Sequence, residues 1–247
     1  MTLESLNIWG GRMTQELFDH ISQQSTLIDI FCFQEVFHHG TTKMERQLVS
    51  DMEIFDKIQA ILPDHIGFFD PANNTPDHSE GLAIFIRSSY PILDQGDCVV
   101  FRERNGLIGL DPRTLPRNIQ HVQTKMGDTL LTIVNFHGLW DEFKKSDSPN
   151  RLEQSRRIRA CIDALDGEMI FCGDFNLKPD TESMALLESG MQNLIKDYAI
   201  SSTRTHIYTK TEKFADYVLI SQGIQVADFR VLDAVVSDHA PLYLEWN

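Results

Sequence analysis

The stretch Met169-Ile-Phe-Cys-Gly-Asp-Phe-Asn-Leu-Lys178 decides how the rest of the chain is read. Its first four residues form an apolar run closed by a glycine, the pattern of a short strand covered on both faces. Gly173 permits a sharp turn. Asp174 and Asn176 follow two residues apart, so their side chains leave the strand end in the same direction while Phe175 turns away. A carboxylate and an amide then stand side by side at the rim of a sheet. That placement suits the orientation of a water against a phosphate, with Asp174 accepting and Asn176 donating. Taken alone, Gly-Asp-Phe-Asn fits an Asx-rich turn equally well, so the neighbouring strand ends have to decide.

Immediately upstream, Ser148-Pro149 opens a helix with Ser at the N-cap and Pro at the first helical position. Ile158, Cys161, Ile162 and Leu165 form its buried stripe. Before it, the strand Leu131-Thr-Ile-Val-Asn-Phe-His137 again ends in a polar group, and a polar loop through Lys144 and Lys145 follows. Residues 97–101, 118–125 and 129–136 read as strands, the last two joined through Gly127-Asp128 as a hairpin. The connection from Arg102 to Arg117 carries arginines expected to be mostly solvated. Downstream, Asp180 or Thr181 caps a helix reaching about Ser189. A locally basic segment (Thr203-Arg204-Thr205, then Lys210 to Lys213) precedes the strand Phe214–Ile220, with Asp216 near its start. Val235-Val-Ser-Asp-His-Ala-Pro-Leu242 leads into a last strand ending at Trp246.

Toward the N-terminus, Leu3 to Trp9 is a first strand with Asn7 near its end, stopped by Gly10-Gly11. Thr14 is expected to N-cap a helix whose inner face is Leu17, Phe18 and Ile21. Leu27 to Val36 is a buried strand ending in Gln34-Glu35, and an ionised glutamate in such a run calls for a cation or an ion pair. Residues 44–62 place Leu48, Met52, Phe55, Ile58 and Leu62 at helical spacing, predicting one core-facing helix. Pro71 to His78 is rich in turn formers and reads as a surface loop. After it, Glu80 to Arg87 is a strand opening with an acid. No repeat or linker interrupts the chain, so a single domain over residues 1–247 is expected.

Composition narrows the function. A hydrophobic fraction of 42% supports a sizeable core. The formal charge of −14 argues against a broad grip on duplex nucleic acid, yet it is compatible with a carboxylate metal site whose cation offsets part of it. The four cysteines, Cys32, Cys98, Cys161 and Cys172, lie far apart and are expected to be buried thiols rather than zinc ligands or a disulfide framework. With no signal-peptide pattern and no long apolar run, a cytoplasmic protein without membrane insertion is expected.

Asn7, Glu35, His137, Asp174, Asn176, Asp238 and His239 therefore all fall at strand ends or in the turns beyond them. A purely structural core rarely buries so many polar groups, and acids, imidazoles and amides together suit metal-assisted phosphoryl chemistry. In this order, Asn7, Gln34-Glu35, Glu80-Gly81, Asn135-Phe-His137, Gly173-Asp-Phe-Asn176, Ala215-Asp-Tyr217 and Ser237-Asp-His239-Ala-Pro resemble the motifs of the endonuclease/exonuclease/phosphatase superfamily, the deoxyribonuclease-I-like fold. The resemblance runs from Asn7 to Leu242.

That resemblance implies an α/β fold, a four-layer α/β/β/α sandwich of two mixed sheets. It implies hydrolysis of a phosphate ester with Mg²⁺ or Mn²⁺. Residue by residue, Glu35 would be the main metal ligand with Asn7 beside it, and Asp238 could also serve a metal. His239 would be the general base or transition-state partner, oriented by Asp216. His137 would contact the scissile phosphate or protonate the leaving group, oriented by Glu80. Asp174 would position the water and Asn176 would bond the phosphate. Histidine at 137, where abasic-site endonucleases carry tyrosine, disfavours that branch. Arg204 and Tyr208 are candidates for a substrate wall. A phosphodiesterase is the leading expectation, as a monomer acting on a phosphate ester. A nuclease acting on single-stranded or terminal nucleic acid is the alternative, and a degenerate binding module the non-enzymatic one.

Overall fold

In the computed structural model, which describes residues 1–247, the apolar runs pair into two six-stranded mixed sheets. The first contains β1 (Thr2–Asn7), β2 (Ile30–Gly40), β3 (His65–Asn74), β4 (His78–Arg87), β11 (Val226–Val231) and β12 (Leu242–Trp246). The second contains β5 (Asp94–Phe101), β6 (Arg117–Met126), β7 (Thr129–His137), β8 (Glu168–Asp174), β9 (Met191–Asn193) and β10 (Asp216–Ser221). Their orders are β11-β12-β1-β2-β4-β3 and β5-β6-β7-β8-β10-β9. Each sheet holds one parallel pair, β1–β2 and β7–β8, among antiparallel neighbours. The helices are α1 (Thr14–Gln24), α2 (Thr42–Leu48), α3 (Ile54–Ile61), α4 (Pro149–Ile162), α5 (Glu182–Leu187) and α6 (Leu194–Asp197).

The period of β2 shows why the layers form. Phe31 and Phe33 join Leu17, Ile21, Ile54 and Ile58 in one buried cluster, so α1 and α3 cover the outer face of the first sheet. Ile30 and Cys32, on the opposite face, join a larger cluster with Ile133, Cys172 and Val218 between the sheets, which continues to Ile158 and Met184 under α4 and α5. The result is an α/β/β/α sandwich. A short polar weld crosses it: Gln34 Nε2 donates to Asn135 Oδ1 at 2.7 Å, and Asn135 Nδ2 donates to the carbonyls of Phe33 and Ala83 at 3.0 and 3.1 Å. Every group in that weld sits where a slip of one residue would bury it unpaired, so it fixes the register of β7 against β2 and β4.

Several local expectations change. The helix predicted over 44–62 is two helices, because Val49 adopts φ 54° and ends α2. The apolar spacing persists across the break because Met52 remains buried outside any helix. Pro71 to Asn74 is not loop but the end of β3, with Asn73 opposite Glu80 and Asn74 opposite Ser79. The reversal is confined to Thr75–Asp77, and Pro71, which lacks an N–H, sits beside a bulge. Thr14 begins α1 but does not cap it; its hydroxyl donates to the Gly11 carbonyl. Ser148 and Thr181 do cap α4 and α5, accepting from Arg151 and Met184 N–H. Cys98 and Cys161 are bonded to each other, tying β5 to α4, which corrects the expectation of free thiols there; Cys32 and Cys172 are buried thiols.

Candidate active site

The carboxyl ends of both parallel pairs reach the same edge of the sandwich, where open α/β sheets present ligand sites. Glu35 is delivered there by a bulge. The β2–β4 register skips between Phe33 and Val36, and Glu35 takes φ 57°. Gln34 thereby turns into the inter-sheet weld while Glu35 faces the cleft. Asn7 at the end of β1 laces three strand ends together, its Nδ2 donating to Glu35 Oε1 and to Asp174 Oδ2, both at 3.0 Å. Its Oδ1 accepts from Trp9 N–H at 2.9 Å, so Asn7 presents nitrogen to the carboxylates. The amide oxygen expected beside Glu35 as a ligand accepts this one backbone hydrogen bond and keeps a second lone pair.

Gly173 has φ 136°, and a Cβ there would collide with the Phe136 carbonyl of the adjacent parallel strand. Only this close approach lets Asp174 stand opposite His137 in the β7–β8 register and opposite Asp216 in the β8–β10 register. Asp174 Oδ1 accepts from Asn176 N–H at 2.9 Å, and Phe175 packs into the aromatic core. Burial alone would raise the Asp174 carboxyl, but His239, Lys145, His137 and Arg204 outweigh it and hold it well below the usual range.

The two histidines meet this carboxylate in opposite tautomeric roles. His239 Nδ1 lies 2.7 Å from Asp216 Oδ1, whose other oxygen accepts from Thr203 Oγ1 at 2.8 Å. With a carboxylate on Nδ1, that nitrogen carries a proton and Nε2 faces the cleft. His137 Nδ1 lies 3.0 Å from Arg117 Nη1. An arginine can only donate, so His137 Nδ1 accepts and Nε2 carries the proton. Burial and then Arg117 push His137 well below its ordinary value, keeping it neutral. Both Nε2 atoms stand 3.6 Å from Asp174 Oδ2, beyond direct hydrogen-bond distance.

The partner expected for His137 is therefore corrected: Arg117, not Glu80, fixes its ring. Glu80 lies beyond, where burial raises its pKa to about 7 against the pull of Arg117. Burial also raises Glu35 despite the Asn7 hydrogen bond. Arg204 and Tyr208 reach the same place: Arg204 Nη1 pairs with Asp238 Oδ2 at 3.1 Å, and its guanidinium lies 4.2 Å over the Tyr208 ring. Glu35, Glu80, Arg117, His137, Asp174, Asn176, Arg204, Tyr208, Asp238 and His239 line a cleft of about 480 Å³, with Asn7 and Asp216 behind them and Trp9, Arg12, Trp140 and Lys210 among its other walls.

The donor set fits a hard divalent cation. Glu35 commits only Oε1 to a hydrogen bond, and Asp238 Oδ1 is buried with no partner. Oxygen donors of this kind are what Mg²⁺ or Mn²⁺ takes. A second trio, Asp174, Asp216 and His239, has ligand atoms within 4.8 Å of one another. There, however, Asp216 and His239 are spent on each other. Two cleft residues were not anticipated. Arg117 is 5% exposed and Lys145 4%, although both lie in stretches that read as solvated. No alternation in β6 singles out Arg117, since its first four residues are all buried.

A model of the endonuclease/exonuclease/phosphatase family matches residues 5–239. Among solved structures, a mannosyl-6-phosphatase from Bacteroides thetaiotaomicron superposes with a TM-score of 0.71 at 19% identity, over 100% of this chain and 99% of that one. Humanized D. rerio TDP2 gives 0.71 at 15%, covering 100% and 98%. The human Nocturnin catalytic domain with bound sulfate gives 0.67 at 16%, covering 100% and 94%. At these identities the likeness is one of fold. No curated protein matches significantly.

Proposed function

The chain belongs to the endonuclease/exonuclease/phosphatase family, and on that premise we propose that it is a metal-dependent phosphoesterase that hydrolyses a phosphodiester by attack of an activated water. The observation that carries this reading is the Asp216–His239 pair opening, through Nε2, onto the Asp174 carboxylate. A water between them would be held by Asp174 and lose its proton to His239, whose growing charge Asp216 stabilises. His137 Nε2–H and Asn176 supply neutral donors to the phosphoryl oxygens. Because Arg117 occupies Nδ1, His137 acts as a hydrogen-bond donor rather than a charged acid. Glu35 and Asp238 would hold Mg²⁺ or Mn²⁺, which when bound offsets charge on the phosphoryl group.

Intact acid, imidazole and amide groups favour an enzyme over a binding module. The nuclease alternative has its own observation: the cleft is open and rimmed by Trp9, Trp140 and Tyr208 with Arg12 and Lys210, features suited to stacking and steering single-stranded ends. The test is hydrolysis of bis-p-nitrophenyl phosphate, p-nitrophenyl phosphate and a fluorescent single-stranded oligonucleotide with Mg²⁺, Mn²⁺ or EDTA. Cleavage that requires metal, disappears in Glu35→Ala and falls at least ~10²-fold in a folded His239→Ala supports the reading. Near-wild-type turnover by His239→Ala would remove His239 as base. The preferred substrate separates diesterase, monoesterase and nuclease.

A further inference from the structure

The cleft that holds Asp174 and the histidines is also lined by Phe37, Leu48, Leu107, Leu110 and Leu115, none of which serves a hydrolytic step. Folding does not explain three of them either. Leu107, Leu110 and Leu115 belong to neither buried cluster of the sandwich, although Leu115 is itself buried. Val49 and Ile108, next in sequence to lining leucines, are 65% and 66% exposed, so apolar side chains continue from the cleft wall onto the surface. Clustered apolar surface at a cleft marks a ligand or partner site.

Two loops over one strand end build this wall. Phe37 stands opposite Glu80 in the β2–β4 register, its ring 6.1 Å from that of His78. Leu115 meets Glu80, Arg117 and His137 in a small recess beside the cleft, which joins the wall to the reaction centre. The segment carrying the three leucines is pinned to β3 by Asn105. Its N–H donates to the Ala72 carbonyl at 3.3 Å, and its Oδ1 accepts from Asn74 N–H at 2.6 Å. Thr114 closes the segment, Oγ1 accepting from Ile108 N–H at 2.9 Å and donating to the Asp111 carbonyl at 2.8 Å. The other loop is fixed by Arg12, whose Nη2 donates to the Leu48 carbonyl at 3.1 Å while its guanidinium lies 4.8 Å over the Trp9 ring.

The polar groups on this wall are already occupied. Ser50 Oγ donates to the Leu48 carbonyl at 3.2 Å, and His78 is buried beside Asn73. A nucleobase placed here would bring ring nitrogens and carbonyls to groups already spent, and unpaired polar groups are costly to bury. A hydrocarbon would give up only its contact with water.

We propose that this wall is a hydrocarbon subsite that takes one ester arm of the substrate, and that the substrate class is a phosphodiester of an aliphatic alcohol. This rests on the reading of the cleft as a phosphoesterase site, and it favours the diesterase over the nuclease. It makes Leu107, Leu110 and Leu115 specificity-determining residues. At about 480 Å³ the whole cleft takes a small molecule, so the arm is a short chain.

The test reads chain length. With Mg²⁺ or Mn²⁺, kcat/KM is compared for the methyl, butyl and hexyl esters of p-nitrophenyl phosphate and for p-nitrophenyl thymidine 5′-phosphate. It should rise about two- to fourfold per methylene, the upper figure being full transfer of a CH₂ from water, and the hexyl ester should exceed the thymidine ester. In Leu107→Asn/Leu110→Asn, which changes two positions that are not fully buried, the hexyl ester should lose at least about tenfold more than the methyl ester. Leu110→Asn alone, at a residue 37% exposed, should move in the same direction and serves if the double variant unfolds. A flat series, a chain-length dependence that survives both variants, or a thymidine ester preferred to the hexyl ester overturns the subsite. Calorimetric titration in EDTA reads binding apart from turnover: hexyl phosphate should bind wild type at least about tenfold more tightly than methyl phosphate, and the variants should lose that preference. A chain that shows this preference but hydrolyses no ester keeps the subsite and loses the proposed reaction. One that hydrolyses all the esters alike keeps the reaction and loses the subsite.

Discussion

At the scale of single residues, the cleft sets protonation states through burial and sets tautomers through partners. Arg117 and Asp216 dictate which nitrogen of His137 and His239 carries the proton. The sequence announces the histidines, because polar residues at strand ends are conspicuous, but it does not announce their partners. Arg117 looks like one of several loop arginines, and Glu80 looked the better mate for His137. What reverses that choice is the β5–β6 register, with Arg117 opposite Phe101, a long-range fact no local pattern encodes. Glu80, half-buried beside Arg117 in the cleft, has a testable consequence. Its pKa is raised to about 7 in the fold, so its contribution to stability is present below its unfolded value and is lost as pH rises toward 7. His137, depressed, acts oppositely, its contribution being lost as pH falls. Comparing wild type with Glu80→Gln in EDTA isolates the first term. The variant's melting temperature should climb more steeply between pH 5 and 7 than that of wild type. Parallel slopes would mean that Glu80 is solvated and ordinary.

At the scale of elements, the long apolar strands and the capped helix α4 were legible because two or more signals agreed: periodicity, flanking glycine, and an N-cap. The errors fall where one signal stood alone. Turn-forming residues at 71–78 were read as loop, although pairing with β4 carries Asn73 and Asn74 inside the ladder. Helical spacing over 44–62 was read as continuous, although tertiary contacts need only the spacing and not the hydrogen bonds. The short β9 and the edge strand β11 had no pattern strong enough to register. Gly173 is where element and site meet, since the close approach of β7 and β8 depends on the missing side chain. Gly173→Ala should destabilise the chain by at least about 2 kcal/mol, the range of a backbone conformation incompatible with Cβ. It should also cut activity more than a loss of folded fraction explains. Urea unfolding at unchanged slope, with activity normalised to folded protein, measures both. A stability loss with full residual turnover would mean that Asp174 does not depend on this approach.

At the scale of the whole molecule, two sheets meet through an apolar interior but end in a cluster of acids in a chain of net charge −14. The position of that cluster follows from topology: both parallel pairs finish, and β4 and β10 begin, at one edge. A fold that gathers Glu35, Asp174 and Asp238 there without a cation keeps them at a cost, which the burial-raised pKa of Glu35 reflects. A bound divalent ion would repay that cost in proportion to its affinity, by about 2.7 kcal/mol at a hundredfold excess over Kd. Adding Mg²⁺ or Mn²⁺ to the EDTA-treated chain should therefore raise the melting temperature by several degrees, saturably, and Ca²⁺-free Na⁺ at equal ionic strength should not. In Glu35→Ala the metal-free chain should melt no lower than wild type, because one of the crowded carboxylates is gone, while the metal-induced rise should largely vanish. The two halves of this prediction separate a ligand from a mere acid. If Glu35→Ala weakened the metal-free fold and still gained the full rise from Mg²⁺, Glu35 would be a structural partner of Asn7, and the cation would have to sit on Asp174, Asp216 and His239 instead.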